Sequence, residues 1–493
     1  MPALAAGVDL QLQWRGAVDG ERIHLPFSSS VLWRGGLVLL ALVVVAVAVR
    51  APRAPQGVQR QPIPGGPVLL RDDIALRKIV EVGPGAVKLV RNSRDGQLYF
   101  VNPPAGIFRV RLGEPAENVQ VATPEVYAGG WPAAMNFGLD GTLYLVLNMR
   151  VDGTYNQATI LKGSGADTGQ ITWTTLATTE PYPLSDTPFD HMLNGIVPSP
   201  DGRWVIVNSG SRTDHGEVEA NNGAFPDLRE AGITARILRL PADAENLVLP
   251  NDDAALRAQG YVYAVGTRNS FDPEFAPNGD LFAGDNGPDA DFPDELNWLR
   301  EGRHYGFPWR FGANDNPQQF PDYNPREDFR LSTDFTAVQM GVYRNDPAYP
   351  PPPGPFTDPV ANLGPAAAQY RDDTGRPQDA AEQGGLLYTF TPHRSPLGLV
   401  FATDARLPDD LAGSDRTLSA FILSWGSSGG TLTDRGQDLL HLRLTQRGDA
   451  YFAETQQIAL DFLNPIDAVM IENRLYVLDF GGAGAIWELT FVK

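Results

Sequence analysis

The sequence predicts an all-β protein built by radial repetition of hairpins, a β-propeller, and three observations carry that expectation. A small-residue turn followed by a hydrophobic strand recurs, as Asp-Gly or Asn-Gly at Asp95-Gly96, Asp140-Gly141, Asp201-Gly202 and Asn278-Gly279, with Glu472-Asn473 as a fifth instance. Each turn follows a short apolar run, so each reads as a hairpin, in which Asp-Gly or Asn-Gly supplies positive φ angles. Residues 397–423 add a sixth pair of strands around a longer turn. No heptads or long amphipathic helices interrupt the series, and only residues 252–259 read as a short helix on an insertion. The hairpins are unevenly spaced, which puts insertions between the blades of a radial array.

Taken in order, residues 1–34 form a polar segment and residues 35–49 an uninterrupted apolar run bounded by Arg34 and Arg50. That run is shorter than the ~20 residues of a typical spanning helix. It reads either as a retained signal anchor or as the apolar region of a signal peptide, with Ala46-Val47-Ala48 as a small-x-small cleavage pattern. The long preceding segment favours the anchor. In both readings the remaining chain lies outside the cytoplasm, either on a single-pass membrane segment or secreted or periplasmic after cleavage. Residues 50–67 are rich in Pro, Gly and Gln and read as a linker. The propeller then occupies residues 68–493.

Composition narrows the function. The net charge of −20 repels phosphate backbones, which argues against nucleic acid as a partner. Cysteine is absent, which excludes disulfides and thiolate catalysis. The densest chemistry lies in residues 266–310, where Arg268-Asn269 precedes a hairpin and an oxygen-rich loop carrying Asp285, Asp289, Asp291 and Asp294. A fixed cation beside an amide and an acidic loop suits an anionic, carbonyl-bearing ligand and a hard cation such as calcium.

This segment also carries a resemblance. Gly266, Arg268, Asn269, Gly279, Gly287, Pro288, Asp294, Glu295, Asn297, Gly302, Tyr305, Gly306 and Pro308 keep an order and spacing similar to the soluble, pyrroloquinoline quinone (PQQ)-dependent glucose and sorbosone dehydrogenases. The run from Pro392 to Leu399, the turn at Ser424 to Ser427 and the closing run from Asp479 to Trp487 extend the likeness. The resemblance implies six blades, and PQQ and Ca2+ in a central funnel. It also implies oxidation of an aldose or related sugar alcohol, with an external electron acceptor. In it Arg268 and Asn269 contact the cofactor, and the carbonyls of Gly287 and Pro288 hold a calcium that touches it. Glu295 and Tyr305 hold a second calcium, and Arg268 stabilises the reduced quinone.

Read from its residues alone, His191 is either a base for a hydroxyl proton or a loop histidine bonded to its own blade. The resemblance makes it the catalytic base. The segment from Ser209 to Glu217 reads equally as funnel lining or exposed loop. The chain departs from the family pattern in its cations. Its four lysines are Lys78, Lys88, Lys162 and Lys493, so the family's lysine from the C-terminal half has no match, and Ser427-Ser428-Gly429-Gly430 stands where paired arginines are expected. Gly129-Gly130-Trp131-Pro132 replaces a glutamine, while Arg394 and Arg435 are the cations available instead. Two other classes fit the same features: a non-catalytic, calcium-stabilised propeller that binds glycans or proteins, and a calcium-dependent lactone hydrolase.

Overall fold

The computed structural model describes residues 63, 65–402, 406–428 and 432–492. The apolar run at residues 35–49 and most of the linker lie outside the described residues. Among those described, no helix is long and apolar enough to cross a membrane.

Six of the eight sheets among the described residues, each built on a core of antiparallel strands, are the blades of a propeller. Blade 1 is Lys88–Arg91, Leu98–Asn102, Gly106–Arg111 and Glu117–Ala122. Blade 2 runs from Trp131–Phe137 to Thr172–Thr179, blade 3 from Leu193–Pro198 to Val262–Val265, and blade 4 has three strands, Glu274–Phe275, Leu281–Asp285 and Glu295–Leu299. Blade 5 comprises Pro396–Phe401, Thr417–Ser424, Leu439–Arg447 and Ala450–Leu460. Blade 6 combines Pro465–Ile471, Arg474–Asp479 and Ala485–Phe491 with Ile74–Glu81 from the start of the domain.

The recurring turns share one local chemistry. In four of them the side chain of the first residue accepts the backbone N–H two positions on: Asp95 from Gln97 at 2.9 Å, Asp140 from Thr142 at 3.0 Å, Asp201 from Arg203 at 3.1 Å and Asn278 from Asp280 at 3.1 Å. The glycine between adopts φ of 69–90°, which L side chains rarely reach. The expected short helix spans Asp253–Ala258, with the Asp252 side chain capping the N–H of Ala255.

Packing fixes the count of blades. One apolar cluster lies between each neighbouring pair: Leu143 and Tyr99 between blades 1 and 2, Ile160 and Val207 between 2 and 3, Ile237 and Ala283 between 3 and 4. Phe282 and Ile422 lie between 4 and 5, Phe421 and Val477 between 5 and 6, and Leu478 and Phe100 between 6 and 1. The last cluster closes the ring, so no blade face is left to solvent.

Because the strands alternate in direction, the Asx turns share one end of the ring. The connections between blades and the loops between second and third strands share the other end. His191, Arg268, Asn269, Gly287, Pro288 and Glu295 fall on this second end.

Closure predicts a truncation result. A chain beginning at residue 82 lacks the strand that pairs with Ala485–Phe491 and bares the edge of blade 6. Its calorimetric transition is expected to be lost or broadened, whereas a chain beginning at residue 65 keeps a single sharp one.

Candidate active site

The site is assembled from loops whose backbone amides are fastened by buried carboxylates. Asp285, at the end of the second strand of blade 4, accepts the N–H of Arg268 at 2.9 Å and of Asn269 at 2.5 Å. Asn269 in turn accepts from Asn194 Nδ2 at 2.7 Å, and Asn194 accepts from Asn208 at 2.6 Å, so blades 3 and 4 share one amide chain. Asp294 receives the N–H of Gly287 at 2.6 Å on one oxygen and that of Ser395 at 2.8 Å on the other. One carboxylate therefore ties the Gly287-Pro288 corner to the loop that enters blade 5.

His191 sits where blade 3 is entered. Its N–H bonds the carbonyl of Ser211 at 3.0 Å, and its Nδ1 lies 3.1 Å from the Ser211 hydroxyl. Gly210 makes room for it, since a Cβ there would fall 2.4 Å from His191 Cβ. Among the described residues no carboxylate is hydrogen-bonded to the ring. Burial, then the nearby charge of Arg268, push its pKa down to about 3, so the ring is neutral over the physiological range.

Arg268 is 6% exposed and already partnered. Nε donates to the Asp214 carbonyl at 2.7 Å, Nη2 to the Asp214 carboxylate at 2.8 Å and Nη1 to the Asn286 carbonyl at 3.2 Å. Three of the five guanidinium N–H groups are used, which leaves two for a ligand. Asp214 was not recognised from sequence. The segment around it is not an exposed loop: Ser211, Arg212, Thr213, Asp214, His215 and Glu217 are all buried, and it meets His191 through Ser211 and Arg268 through Asp214. Glu217 accepts the N–H groups of Asp214 and His215, and His215 Nδ1 meets Asp214 at 2.9 Å.

A wall that the sequence did not suggest comes from residues 323–350. Tyr343 stacks on His215 with ring centroids 3.8 Å apart and donates to Asp214 at 3.2 Å. Ala337 N–H donates to Asp289 at 3.0 Å, and Phe335 packs on His393 at 4.5 Å. The wall shares an apolar cluster with Phe189, Phe292 and Phe311. It lacks a periodic apolar pattern, so nothing local announced it.

The proposed calcium ligands separate into two kinds. Glu295 lies directly across from Asp285 in the strand pair, and both carboxylates line a cavity of about 10 Å³ with Arg268, Asn286 and Gly287. Burial, then the facing charge of Asp285, raise the pKa of Glu295 above the usual carboxylate range. A proton or a cation relieves such a pair. Asn286, whose Oδ1 is buried without a hydrogen-bond partner among the described residues, also lines the cavity. The hydroxyl of Tyr305 is elsewhere: it donates to the Trp298 carbonyl at 2.5 Å and accepts from Arg300 N–H at 2.7 Å. The Tyr305 ring folds back to close its own turn, so its side chain does not join Glu295. Among the described residues no cluster of three or more acidic or histidine side chains is disposed around one metal position.

The two substitute cations are both ion-paired, Arg394 in the interior and Arg435 at the surface. Arg394 is buried between Asp434 and Asp438, and Arg435 pairs with Asp461.

With this geometry in view, sequence comparison is decisive. The Glucose / Sorbosone dehydrogenase family model matches residues 90–338. The chain belongs to the glucose/sorbosone dehydrogenase family. The matched region runs from blade 1 through the wall at residues 323–338 and contains His191, Arg268, Gly287 and Glu295.

Solved structures share the family fold at low identity. The soluble aldose sugar dehydrogenase of Escherichia coli, in apo-form, is 14% identical with a TM-score of 0.51 over 85% of this chain and 99% of its own. The PQQ domain of the pyranose dehydrogenase of Coprinopsis cinerea, in holo form, is 13% identical with a TM-score of 0.52 over 85% and 96%. A glucose dehydrogenase aligns at 14% identity and 0.51 over 84% and 99%. No curated protein sequence matches the chain.

Two measurements check this site. Asp214→Asn leaves the Arg268 guanidinium buried beside a neutral amide, and a loss of about 3–5 kcal/mol is expected in urea denaturation. The exposed turn variant Asp201→Asn is expected to leave the urea midpoint nearly unchanged. For His191, the folded-state pKa lies below the unfolded value of ~6.5, so its stabilising contribution is complete above that pH and is lost as pH falls toward about 3. His191→Gln is therefore expected to flatten the acid side of the Tm-against-pH curve.

Proposed function

We propose that this family member is a quinoprotein that oxidises an aldose or related sugar alcohol at the loop end of the propeller, with PQQ and calcium as cofactors. The observation that carries the reading is the convergence of His191, Asn269, Arg268 and the Gly287-Pro288 corner, drawn from separate blades, in a chain of this family. The propeller works outside the cytoplasm, delivered there by the apolar run at residues 35–49, and passes electrons to an external acceptor.

The residues fit such cofactors in donor type. Arg268 keeps two N–H groups for an anionic ligand, and Asn269 sits beside it on the Asp285 clamp. Gly287 and Pro288 would hold the calcium that meets the cofactor, and Glu295 with Asp285 and Asn286 would hold a second ion. Tyr305 supports that second site through the turn it closes. PQQ, when bound, supplies the acceptor for two electrons. The protein supplies the rest: His191 presents a neutral ring that accepts a hydrogen bond from the reacting hydroxyl, Arg268 sets a positive charge beside the forming anion, and the wall from residue 323 excludes water.

A second reading has its own support. The guanidinium of Arg268 is neutralised by Asp214 and that of Arg394 by Asp434 and Asp438, so the cations expected to meet a polyanionic cofactor are partly engaged within the fold. A calcium-stabilised propeller that binds glycans or proteins would show such internal neutralisation.

Sugar-dependent reduction of an artificial dye separates the two. The protein reconstituted with PQQ and calcium is expected to reduce dye with an aldose, and Arg268→Ala is expected to lose both cofactor binding and turnover. Calcium binding with no sugar-dependent reduction supports the second reading.

A further inference from the structure

Trp131 is 46% exposed, more than any other described tryptophan. Among the described residues its indole makes no hydrogen bond, ring contact or cation contact. It opens the first strand of blade 2, Trp131–Phe137, and so stands at the end of the ring that carries His191 and Arg268. The backbone that delivers it is fixed. Gly130 N–H donates to the carbonyl of the buried Tyr127 at 2.8 Å, and a Cβ at Gly130 would fall 3.1 Å from Leu147 Cβ. A single exposed apolar side chain is ordinary on a protein surface; the direction of this one is not.

In the pairing of this strand with the next, Leu143–Val151, Trp131 lies across from Asn148 and Pro132 across from Leu147, but Ala134 lies across from Val146, so Ala133 is an extra residue. Strict alternation from Met135, which packs toward blade 1, would turn Trp131 to that side as well. The bulge reverses it. Directly opposed residues share a face of the sheet, and the Asn148 side chain reaches blade 3, donating to the Leu193 carbonyl at 2.8 Å and accepting from Asn156 at 2.9 Å. Leu193 stands two residues past His191. The loop that follows Asn148 is fastened to the segment leading into His191, with Leu184 N–H on the Thr154 carbonyl at 2.9 Å and Arg150 beside Asp186 at 3.1 Å. β-bulges re-aim side chains next to sites, and this one turns an indole to the His191 side of blade 2.

We propose that Trp131 is the platform on which the ring of the sugar lies, and that it selects aldopyranoses over acyclic polyols. The inference rests on the sugar-oxidising reading above. A pyranose carries hydroxyls around its rim and C–H bonds on its faces, so it takes hydrogen-bond partners at its edge and an apolar surface beneath. The negative face of an aromatic ring attracts such C–H groups. His191, Asn269 and Arg268 provide the edge groups, and the indole of Trp131 provides the surface.

The aromatic rings already described at the site do not offer that surface. Phe189, Phe292 and Phe307 are buried, Tyr343 is stacked on His215, and Phe335 packs on His393. In the run Gly129-Gly130-Trp131-Pro132 the indole is also the only side chain with a hydrogen-bonding atom. This entry to the site therefore offers stacking in place of a polar side chain. A rigid ring lies on such a surface at little entropic cost, whereas an acyclic polyol has no fixed face and must be ordered to use it.

The test compares wild type, Trp131→Ala and Trp131→Phe, each reconstituted with PQQ and calcium, in dye reduction with an aldohexose, alongside calorimetric titration of PQQ. An acyclic polyol is run in parallel, as substrate or, where it is not oxidised, as inhibitor. Trp131→Ala is expected to raise the aldohexose KM roughly tenfold while kcat stays within about threefold. Its PQQ affinity and its constant for the polyol are expected to match wild type. Trp131→Phe, which keeps a flat ring, is expected to recover most of the lost KM. An aldohexose KM unchanged in Trp131→Ala overturns the platform while leaving sugar oxidation standing. An equal rise for both ligands, or a joint fall in kcat and PQQ affinity, marks a structural role and overturns it too. A wild type in which no sugar supports dye reduction overturns the sugar-oxidising reading, and this assignment with it.

Discussion

The candidate site depends on the bonds that Asp285 makes to the backbone of Arg268 and Asn269. Loops at one end of a propeller have no ladder partner for their N–H groups, and a buried N–H left unsatisfied costs about 1–3 kcal/mol. Here the solution is a set of buried carboxylates, each accepting two amides. Asp285 serves residues 268 and 269, Asp294 serves 287 and 395, Glu217 serves 214 and 215, and Glu230 serves 212 and 213. The acidity of the chain is thus partly internal fastening. The charge of −20 describes how the loops are held as well as how the surface meets solvent.

That fastening explains what could be read in advance. The hairpins were legible because Asp-Gly and Asn-Gly turns are local: the side-chain bond spans two residues and the glycine φ is a property of one. The sixth pair, around residues 402–416, was visible through its two apolar strands despite its longer turn. The loop carrying Gly287, Pro288 and Glu295 was legible because its elements fall within a few dozen residues, and the strand pair does set Glu295 across from Asp285.

The partners of those residues were not legible, because the pairs are distant in sequence. Arg268 and Asp214 stand 54 positions apart, and His393 and Asp291 stand 102 apart. No periodicity encodes such contacts; they arise when adjacent blades bring their loops to one end. The same reason hid the role of residues 323–350, whose Phe335, Tyr343 and Tyr349 find partners on other loops. Arg394 and Arg435 illustrate the converse. From sequence they are free cations, but in the fold each is claimed by aspartates within its own or a neighbouring loop. For Tyr305 the local turn prevails, and its hydroxyl satisfies the backbone of Trp298 and Arg300 rather than a distant carboxylate.

The central claim is that this end of the propeller holds a quinone cofactor through Arg268 with calcium at the Gly287 corner. Calorimetric titration of PQQ into the purified protein, with calcium present and again with chelator, tests it most directly. The account predicts saturable binding with one site per chain, strong only with calcium and abolished in Arg268→Ala. Absence of binding heat in both conditions, or binding unchanged by chelator and by Arg268→Ala, would contradict it.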